Sequence, residues 1–294
     1  MGVASTDTNS VVTTAVQEIN HIATLPEITL RIIELVESPT STAQDLQSVI
    51  RSDPALCSRV LKVVNSAFYG LPGQIASIER AIVLLGLNAV KNIAVAASLV
   101  KLFRGGELSP HFSARDLWTH SVATATAAKS LADELGLGMA DEAFLGGLIH
   151  DLGVMVELQY DRQKLIKVLD SLNIDSDHVP HADMRRIETD VFGATHEEFG
   201  SGLSKRWKFP ASLINVTGHH HDPMRLPEEA RTLSCVIYVA DRVSAMAGQG
   251  FRLDLDNLTP DPAVLAHLGI QPSKLDEMAS ALTEQMQEVK RLLS

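Results

Sequence analysis

The stretch Gly146-Gly147-Leu148-Ile149-His150-Asp151-Leu152-Gly153 places an imidazole and a carboxylate side by side within an apolar segment. Burying such a pair inside a helical protein costs free energy unless both groups find partners, and a metal cation would satisfy them together. A hydrogen-bonded pair in the core is the alternative explanation for a single His-Asp dipeptide. The interpretation therefore depends on whether the rest of the chain supplies more ligands.

The composition favours an all-α protein with a large core. Of the 294 residues, 45% are hydrophobic and only 4% aromatic, so Leu, Val, Ile and Ala build the core with helical spacing. The net charge of −11 argues against general nucleic-acid binding and against anionic membranes, because no broad basic face neutralises phosphates. The most apolar stretch, residues 81–100, is interrupted by Asn88, Lys91 and Asn92 and indicates a buried helix rather than a membrane span.

Helix signals and breaks divide the chain into a tail and two helical lobes. Residues 1–14 are rich in Ser, Thr and Val without an apolar period, and we expect a mobile tail there. Asp53-Pro54 predicts a helix start, with Asp as the cap and Pro in the first turn. Gly105-Gly106 and Ser109-Pro110 mark the clearest internal boundary. We therefore predict a two-lobed helical bundle, with lobes over residues 15–108 and 109–294.

The second lobe carries metal-ligand side chains at five separate places, each within or at the end of a predicted helix. They are His120, His150-Asp151, His196, His219-His220 and Asp241. Each place alone has an ordinary explanation, such as a core histidine or a solvated helix end. Together, imidazoles and carboxylates on facing helices suit divalent metals such as Mn, Fe, Zn or Ni. Neighbouring positions on a helix point about 100° apart, so His150 and Asp151 could share an ion only over the helix edge, with Gly153 loosening the backbone.

The order His, His-Asp, His, His-His, Asp resembles the HD superfamily of metal-dependent phosphohydrolases. Phrases in the N-terminal half are similar to the HDOD family of bacterial signal-output domains, and the resemblance extends over residues 15–250. These phrases are Leu25-Pro26, Asp53-Pro54-Ala55-Leu56, Asn65-Ser66-Ala67-Phe68-Tyr69-Gly70 and Ala81-Ile82-Val83-Leu84-Leu85-Gly86. The fold that the resemblance implies is an HD-superfamily helical core preceded by an N-terminal HDOD lobe.

The resemblance also implies a centre for one or two divalent ions of Fe, Mn, Zn, Ni or Mg. A first ion would be held by His120, His150, Asp151 and Asp241. A second would use His196, His219 and His220, with Asp151 as the bridge between the two. Many HDOD proteins are thought to have lost several of these residues, whereas this chain retains the complete order. The candidate catalytic groups are Asp151, His219 and His220, since imidazole transfers protons near neutral pH.

Two departures from the family pattern argue against hydrolysis of a cyclic dinucleotide. The branch that cleaves these molecules carries Lys after His-Asp-x-Gly, where this chain has Val154. That branch also carries Gly-Tyr-Pro after its paired histidines, where this chain has His221-Asp222-Pro223-Met224. A phosphate substrate also favours cationic neighbours. The candidates are Lys129, Lys205, Arg206 and Arg242, with a solvated position as the alternative for each.

Two functions of different class follow from the resemblance. The first is a cytoplasmic bacterial signalling protein with a metal-competent HD-type pocket, acting mainly through contacts with a protein partner. The lobe over residues 15–108 favours it, because that lobe carries no obvious catalytic groups. The alternative is a metal-dependent phosphohydrolase or phosphodiesterase that acts on a nucleotide or cyclic dinucleotide, with one or two ions activating water. We favour the regulatory protein.

Overall fold

The computed structural model describes residues 7–19, 27–38, 40–65, 69, 71, 73–103, 107–176 and 178–293. Regular structure in these ranges is helical, apart from a two-stranded antiparallel ribbon formed by β1 (Glu107–Ser109) and β2 (Phe112–Ser113). The predicted all-α class is therefore confirmed. Within the described ranges, every helix is too short or too polar to cross a membrane.

The helices before the ribbon form the N-terminal part of the fold. They are α1 (Thr8–Glu18), α2 (Glu27–Glu37), α3 (Ala43–Arg51), α4 (Pro54–Val64), α5 (Ile78–Leu85) and α6 (Leu87–Leu99), followed by a 3₁₀ turn at Val100–Phe103. Buried side chains run along almost the whole of α6, which packs against α2, α4, α5 and α8. Helix α6 thereby joins the N-terminal helices to those that follow.

The helices after the ribbon form the larger part. They are α7 (Ala114–Glu134), α8 (Ala140–Ile149), α9 (Leu152–Tyr160), α10 (Arg162–Asp170), α11 (Met184–Phe192), α12 (His196–Arg206), α13 (Ala211–His219), α14 (Thr232–Met246), α15 (Pro262–Leu268) and α16 (Ser273–Leu293). Short 3₁₀ turns lie at Pro223–Arg225 and Glu228–Ala230. Helices α7, α8 and α14 pack on one another, and α12 packs between α9 and α13.

Polar side chains fix where several helices begin. The predicted start at Asp53-Pro54 is confirmed, since the Asp53 carboxylate accepts hydrogen bonds of 2.9 Å from two free backbone N–H groups of the first turn of α4. Thr195 and Glu198 form a reciprocal capping box at the start of α12. This box sets His196 as the first residue of α12.

Residues 8–14, expected to belong to a mobile tail, form the first turns of α1. Val11 and Val12 pack against the core, and Ala15 and Val16 are buried where α1 meets α9 and α12. The expectation of a mobile tail is wrong for these residues. The physical reason is that four apolar side chains at helical spacing dock the helix in spite of its many Ser and Thr residues.

Several sequence features fall where the structure gives no description. Residues 1–6 of the expected tail, Leu25-Pro26, Gly105-Gly106 of the expected lobe boundary and most of the phrase 65–70 lie outside the described residues. The division into lobes over residues 15–108 and 109–294 stays a prediction.

Two glycines allow close approach of the helices that surround the centre of the larger part. A Cβ at Gly147 on α8 would lie 2.6 Å from the Ala125 Cα on α7. A Cβ at Gly153 on α9 would lie 1.7 Å from the backbone carbonyl oxygen of His196. Gly153 was expected to loosen the backbone, but it lies within the regular helix α9, where its lack of a side chain admits the start of α12.

Replacing Gly147 by alanine should destabilise the protein because the added methyl group clashes with the α7 backbone. Backbone atoms, unlike the end of a side chain, cannot move away by changing rotamer. We expect Gly147→Ala to lower the free energy of unfolding by at least about 2 kcal/mol, a typical cost of overpacking. The neighbouring Gly146→Ala is a matched control, since its Cβ would lie 3.4 Å from the end of the Ile237 side chain. Urea unfolding measures both, and equal stabilities would contradict the expectation.

Candidate metal centre

The first group of candidate ligands comes from three helices that pack together. His120 lies on α7, His150 follows the end of α8, and Asp241 lies on α14. The His120 Nε2 lies 3.0 Å from the Asp241 Oδ1 and 3.3 Å from the His150 Nε2. One ligand atom from each residue lies within 4.8 Å of the others. Residues far apart in sequence therefore offer three donors to one point.

The Asp151 carboxylate lies between this group and a second one. Its Oδ2 is 3.3 Å from the His150 Nε2, and its Oδ1 is 3.4 Å from the His220 Nε2. The chain breaks between α8 and α9 at His150-Asp151, which serve as the C-cap of one helix and the N-cap of the next. This break explains how adjacent side chains reach one site without lying on a single continuous helix.

The second group consists of His196, His220, His221 and Asp254, whose ligand atoms lie within 4.8 Å of one another. The His196 Nε2 is 3.0 Å from the His221 Nε2, which is 3.3 Å from the Asp254 Oδ2. We call the two groups together with Asp151 the His/Asp centre. Its members are His120, His150, Asp151, His196, His220, His221, Asp241 and Asp254.

Six of the seven sequence-predicted ligands lie in the His/Asp centre, and His219 does not. His219 ends α13 and is half-buried in a groove between α1, α12 and α13, whereas His220 and His221 face the centre. His219 thus lies apart from the other candidates, because the turn after α13 directs the next two side chains inward instead. The assignment of the other six as ligands, and of Asp151 and His220 as catalytic, stays a prediction.

Sequence reasoning missed His221 and Asp254. His221 was visible in the run His219-His220-His221, but the run alone does not show which two rings turn inward. Asp254 lies in an irregular segment after α14, among Leu253 and Leu255, where no helical period marks an inward side. Only the path of the chain over the centre identifies it.

The residues of the His/Asp centre fit a divalent cation. The carboxylate oxygens of Asp151, Asp241 and Asp254 have imidazole nitrogens 3.0–3.8 Å from them and, in the described part of the chain, no Lys or Arg partner. Imidazole nitrogens also face one another at 3.0–3.3 Å. Converging lone pairs in a buried space are costly without a positive charge among them. Nitrogen and oxygen donors are the ligands of Mn, Fe, Zn and Ni.

Four histidines turn Nδ1 away from the centre toward a fixed partner. The contacts are His120 with Ser244 Oγ (3.2 Å), His150 with the Gly147 carbonyl (2.7 Å), His196 with the Glu188 carboxylate (2.9 Å) and His220 with the Val216 carbonyl (3.2 Å). An Nδ1–H that donates to such an acceptor leaves the lone pair of the neutral ring on Nε2, which faces the centre. Such partners orient metal-binding histidines and select their tautomer.

A buried glutamate, Glu188, supports His196 from behind, and a second, Glu157, lies near Glu188. Glu188 accepts hydrogen bonds from the His196 backbone N–H (3.0 Å) and Nδ1 (2.9 Å), and although burial opposes it, this carboxylate raises the pKa of His196 well above its ordinary value. Burial and the nearby Glu188 raise the pKa of the Glu157 carboxyl well above its usual range. No local sequence pattern distinguished either residue.

Burial and the charges of neighbouring residues shift the pKa values of the acidic and basic groups in the centre. Burial alone would lower the pKa of His150, but the Asp151 and Asp241 carboxylates outweigh it and raise that pKa to about 9. Burial disfavours charge on Asp151 as well, yet His150 and His220 hold the pKa of its carboxyl well below the usual range. Burial, with Asp151 and Asp241 beside it, raises the pKa of the Asp254 carboxyl well above its usual range.

The HDOD domain profile matches residues 22–223. The chain belongs to the HDOD family. This HDOD chain is 27% identical over 237 residues to an uncharacterised protein of Treponema pallidum, a match that covers 80% of this chain and 44% of that protein. It is 33% identical over 127 residues to Ribonuclease Y of Deinococcus radiodurans, covering 43% of this chain and 16% of that protein. The HDOD chain thus spans less than half the length of these relatives.

Solved structures share the fold of this HDOD chain. An HDOD domain protein of unknown function from Geobacter sulfurreducens has a TM-score of 0.72 at 24% identity, over 98% of this chain and 96% of that one. A candidate phosphohydrolase from Shewanella amazonensis has a TM-score of 0.74 at 21% identity, over 97% and 98%. A candidate signal transduction protein from Marinobacter aquaeolei has a TM-score of 0.74 at 22% identity, over 97% and 64%. At these identities the likeness concerns the fold alone.

Replacing each outer histidine of the run 219–221 in turn should distinguish a residue that binds the ion from one that only lies next to the site. We expect His221→Ala to weaken binding of the second Mn²⁺ ion by at least about tenfold, because a ring that faces the centre is lost. His219→Ala, the matched control, should leave Mn²⁺ affinity unchanged, since that ring faces the α1 groove. Equilibrium dialysis with metal analysis measures both. Equal effects of the two substitutions would contradict the assignment.

Metal affinity of the HDOD chain should fall as the pH is lowered. His150 must be neutral to offer Nε2 to an ion, and with a pKa of about 9 its proton is displaced on binding at neutral pH. We therefore expect Mn²⁺ to bind more weakly at about pH 6 than at about pH 8, with proton release on binding. Calorimetric titration in buffers of different ionisation enthalpy measures the released protons. Binding without proton release would refute this expectation.

Proposed function

We propose that this chain is a regulatory HDOD protein whose His/Asp centre binds one or two divalent metal ions and which acts mainly through contacts with a protein partner. The observation that carries the proposal is the enclosure of the donors. The side chains of His120, His150, Asp151, His220 and Asp241 are 0% exposed. Catalytic metal sites keep a position open to substrate. In the arrangement described, the donors face one another rather than an entrance.

The donor set supports an ion as the occupant of this centre. His120, His150, Asp151 and Asp241 would hold the first ion, and His196, His220 and His221 would hold the second together with Asp151. Mixed imidazole and carboxylate ligands favour Mn, Fe, Zn or Ni over Mg, which prefers oxygen ligands and retains several waters. A bound divalent cation would supply Lewis-acid chemistry, acidifying water and polarising phosphoryl oxygens. The four oriented imidazoles and the unpaired carboxylates are this chain's own contribution.

The positions of the expected cationic neighbours support a regulatory role over turnover of phosphoesters. Lys129 pairs with Asp141 at 3.0 Å, and Arg242 stacks on the Tyr238 ring with its guanidinium carbon 3.4 Å from the centroid. Lys205 and Arg206 are exposed and line the groove beside α1. None of these four side chains therefore lies beside the donors of the centre. A phosphate there would lack the charge-assisted hydrogen bonds that such side chains provide.

A protein partner fits the exposed apolar residues of α5. Val83 is 73% exposed and Leu84 36% exposed, adjacent in the phrase Ala81-Ile82-Val83-Leu84-Leu85-Gly86 that resembles the HDOD family. Exposed apolar side chains next to each other favour contact with another protein. A signalling role in the bacterial cytoplasm is part of this proposal. The Marinobacter aquaeolei neighbour, a candidate signal transduction protein by name, is consistent with it.

Hydrolysis of a phosphoester is the second candidate, and one observation favours it. The two oxygens of Asp151 face the two ligand groups separately, at 3.3 Å from His150 and 3.4 Å from His220. A carboxylate between two ion sites is suited to two-metal hydrolysis, in which the ions lie roughly 3.5–4 Å apart. The partial match to Ribonuclease Y and the Shewanella amazonensis neighbour named as a phosphohydrolase belong to the same reaction class. This function requires the centre to open.

Metal analysis and a phosphodiesterase assay on the same preparation test the two candidates. We expect protein purified without chelator to carry one or two bound transition-metal ions, and His150→Ala to lose them because its ring is a donor. His111→Ala, at an exposed position, is the control. We expect no cleavage of bis(p-nitrophenyl) phosphate with added Mn²⁺, Fe²⁺ or Zn²⁺ beyond that of the free ions. Turnover that Asp151→Asn abolishes would overturn the regulatory proposal in favour of the hydrolase.

A further inference from the structure

The segment 248–261, which joins α14 to α15, lies over the His/Asp centre and is fastened at both ends. At its start, the Phe251 backbone N–H donates to the Asp116 carbonyl on α7 at 3.2 Å. Its end is held by the Asp261 backbone N–H, which donates to the Tyr238 hydroxyl on α14 at 2.8 Å. We call this segment the strap. The strap thus bridges the two helices that carry His120 and Asp241.

The strap approaches α7 so closely at Gly250 that a residue with a side chain would not fit there. Gly250 has a left-handed backbone with φ +78°, and a Cβ there would lie 2.3 Å from the Asp116 carbonyl oxygen and 2.8 Å from the His120 backbone nitrogen. The Phe251 ring next to it packs edge-on against Phe112 and His120, with centroid distances of 5.7 and 6.2 Å. The start of the strap therefore rests directly on the residue that carries the first ligand.

The middle of the strap turns a carboxylate inward. Leu253 and Leu255 are 3% and 2% exposed, and the Asp254 side chain between them is fully buried. Its Oδ2 lies 3.3 Å from the His221 Nε2, and neither oxygen receives a hydrogen bond within the described chain. In the same ranges, no Lys or Arg lies within 4.0 Å of it. A buried carboxylate in this position is costly unless a cation lies beside it.

The neighbours of Asp254 are two rings that already face each other. The His221 Nε2, next to Asp254, lies 3.0 Å from the His196 Nε2, so three ligand-type atoms converge at this point. Asp151 adds a further carboxylate on the other side of His220. The same atoms around a divalent cation would each donate a lone pair to it.

We propose that Asp254 is a ligand of the second metal ion and that its bond to the ion holds the strap closed over the centre. The proposal rests on the metal binding proposed above and adds its structural consequence. With the ion bound, Asp254 is drawn inward and the strap is fixed. Without it, the buried Asp254 carboxyl has no cation beside it, and the segment that carries it is irregular, whereas Asp241 is held within α14. Metal occupancy is thereby converted into order or disorder of a surface segment.

Hydrogen exchange with and without metal tests the strap. The full chain is dialysed against chelator and then titrated with Mn²⁺, with Zn²⁺ as a second probe, while bound metal and amide exchange of 248–261 are measured. In the unchanged chain we expect Mn²⁺ to slow exchange of the strap at least about tenfold. Asp254→Asn should abolish that slowing and weaken the second ion at least about tenfold while the first ion still binds.

Controls separate a lost ligand from a damaged fold. Asp256→Asn changes an exposed carboxylate in the same strap and should behave as the unchanged chain. His221→Gln removes the neighbouring donor and should lose strap protection as Asp254→Asn does. Circular dichroism establishes that each variant is folded. Because Asn has the same shape as Asp and cannot carry a charge, we expect the metal-depleted Asp254→Asn protein to be at least as stable as the unchanged chain.

The outcomes distinguish this inference from the proposed function. If the unchanged chain binds neither Mn²⁺ nor Zn²⁺, the metal centre itself is refuted, and the strap proposal with it. If it binds two ions but Asp254→Asn binds them equally well, or keeps the metal-dependent protection of 248–261, only the role of Asp254 is overturned. The role of Asp254 is established if Asp254→Asn loses the second ion and the strap protection while Asp256→Asn keeps both.

Discussion

Three carboxylates buried among imidazoles are the constraint on which the rest of this structure depends. Oxygens of Asp151, Asp241 and Asp254 lie 3.0–3.4 Å from imidazole nitrogens, and within the described chain none of the three pairs with Lys or Arg. The effective cost of burying an ionised carboxylate is several kcal/mol, whereas a whole domain is stable by only ~5–15 kcal/mol. A cation bound among them would offset that cost, so that ion and fold would stabilise each other. Backbone carbonyls of α8 and α13 orient two of the rings, so the shape of the centre follows from helix packing.

The sequence was sufficient for the helical class and for most of the candidate ligands, because both are recorded in local pattern. Apolar spacing predicts helices, and the order of His and Asp residues identified His120, His150-Asp151, His196, His220 and Asp241. The parts that it missed depend on where the chain goes in space. His219 and His221 differ only in the turn after α13. Asp254 reaches the centre through an irregular segment, and Glu188 supports His196 from the preceding helix. Helix α1 was missed because its Ser and Thr residues obscured four apolar positions that dock on α9 and α12.

Binding and turnover place different demands on a metal site, and this chain meets the first more fully. A ligand set that encloses its ion maximises affinity and protects the ion from exchange, but substrates need an open position. The enclosed donors, the strap and the remote cations all favour metal binding over catalytic turnover. Membership of the HDOD family is established over residues 22–223. In the proposed regulatory role, an ion would act through the elements it joins: α7, α9, α12, α14 and the strap.

The donors of the centre are spread along the chain from His120 to Asp254. A ribosome adds about 5–20 residues each second, so several seconds separate the emergence of α7 from that of the strap. During that interval the early histidines and Asp151 have no carboxylate partner from α14, and closing so long a stretch of chain is itself slow. An ion bound by this centre would therefore be acquired late in biogenesis. The ions available to the finished polypeptide, rather than to the nascent one, would determine which metal it carries.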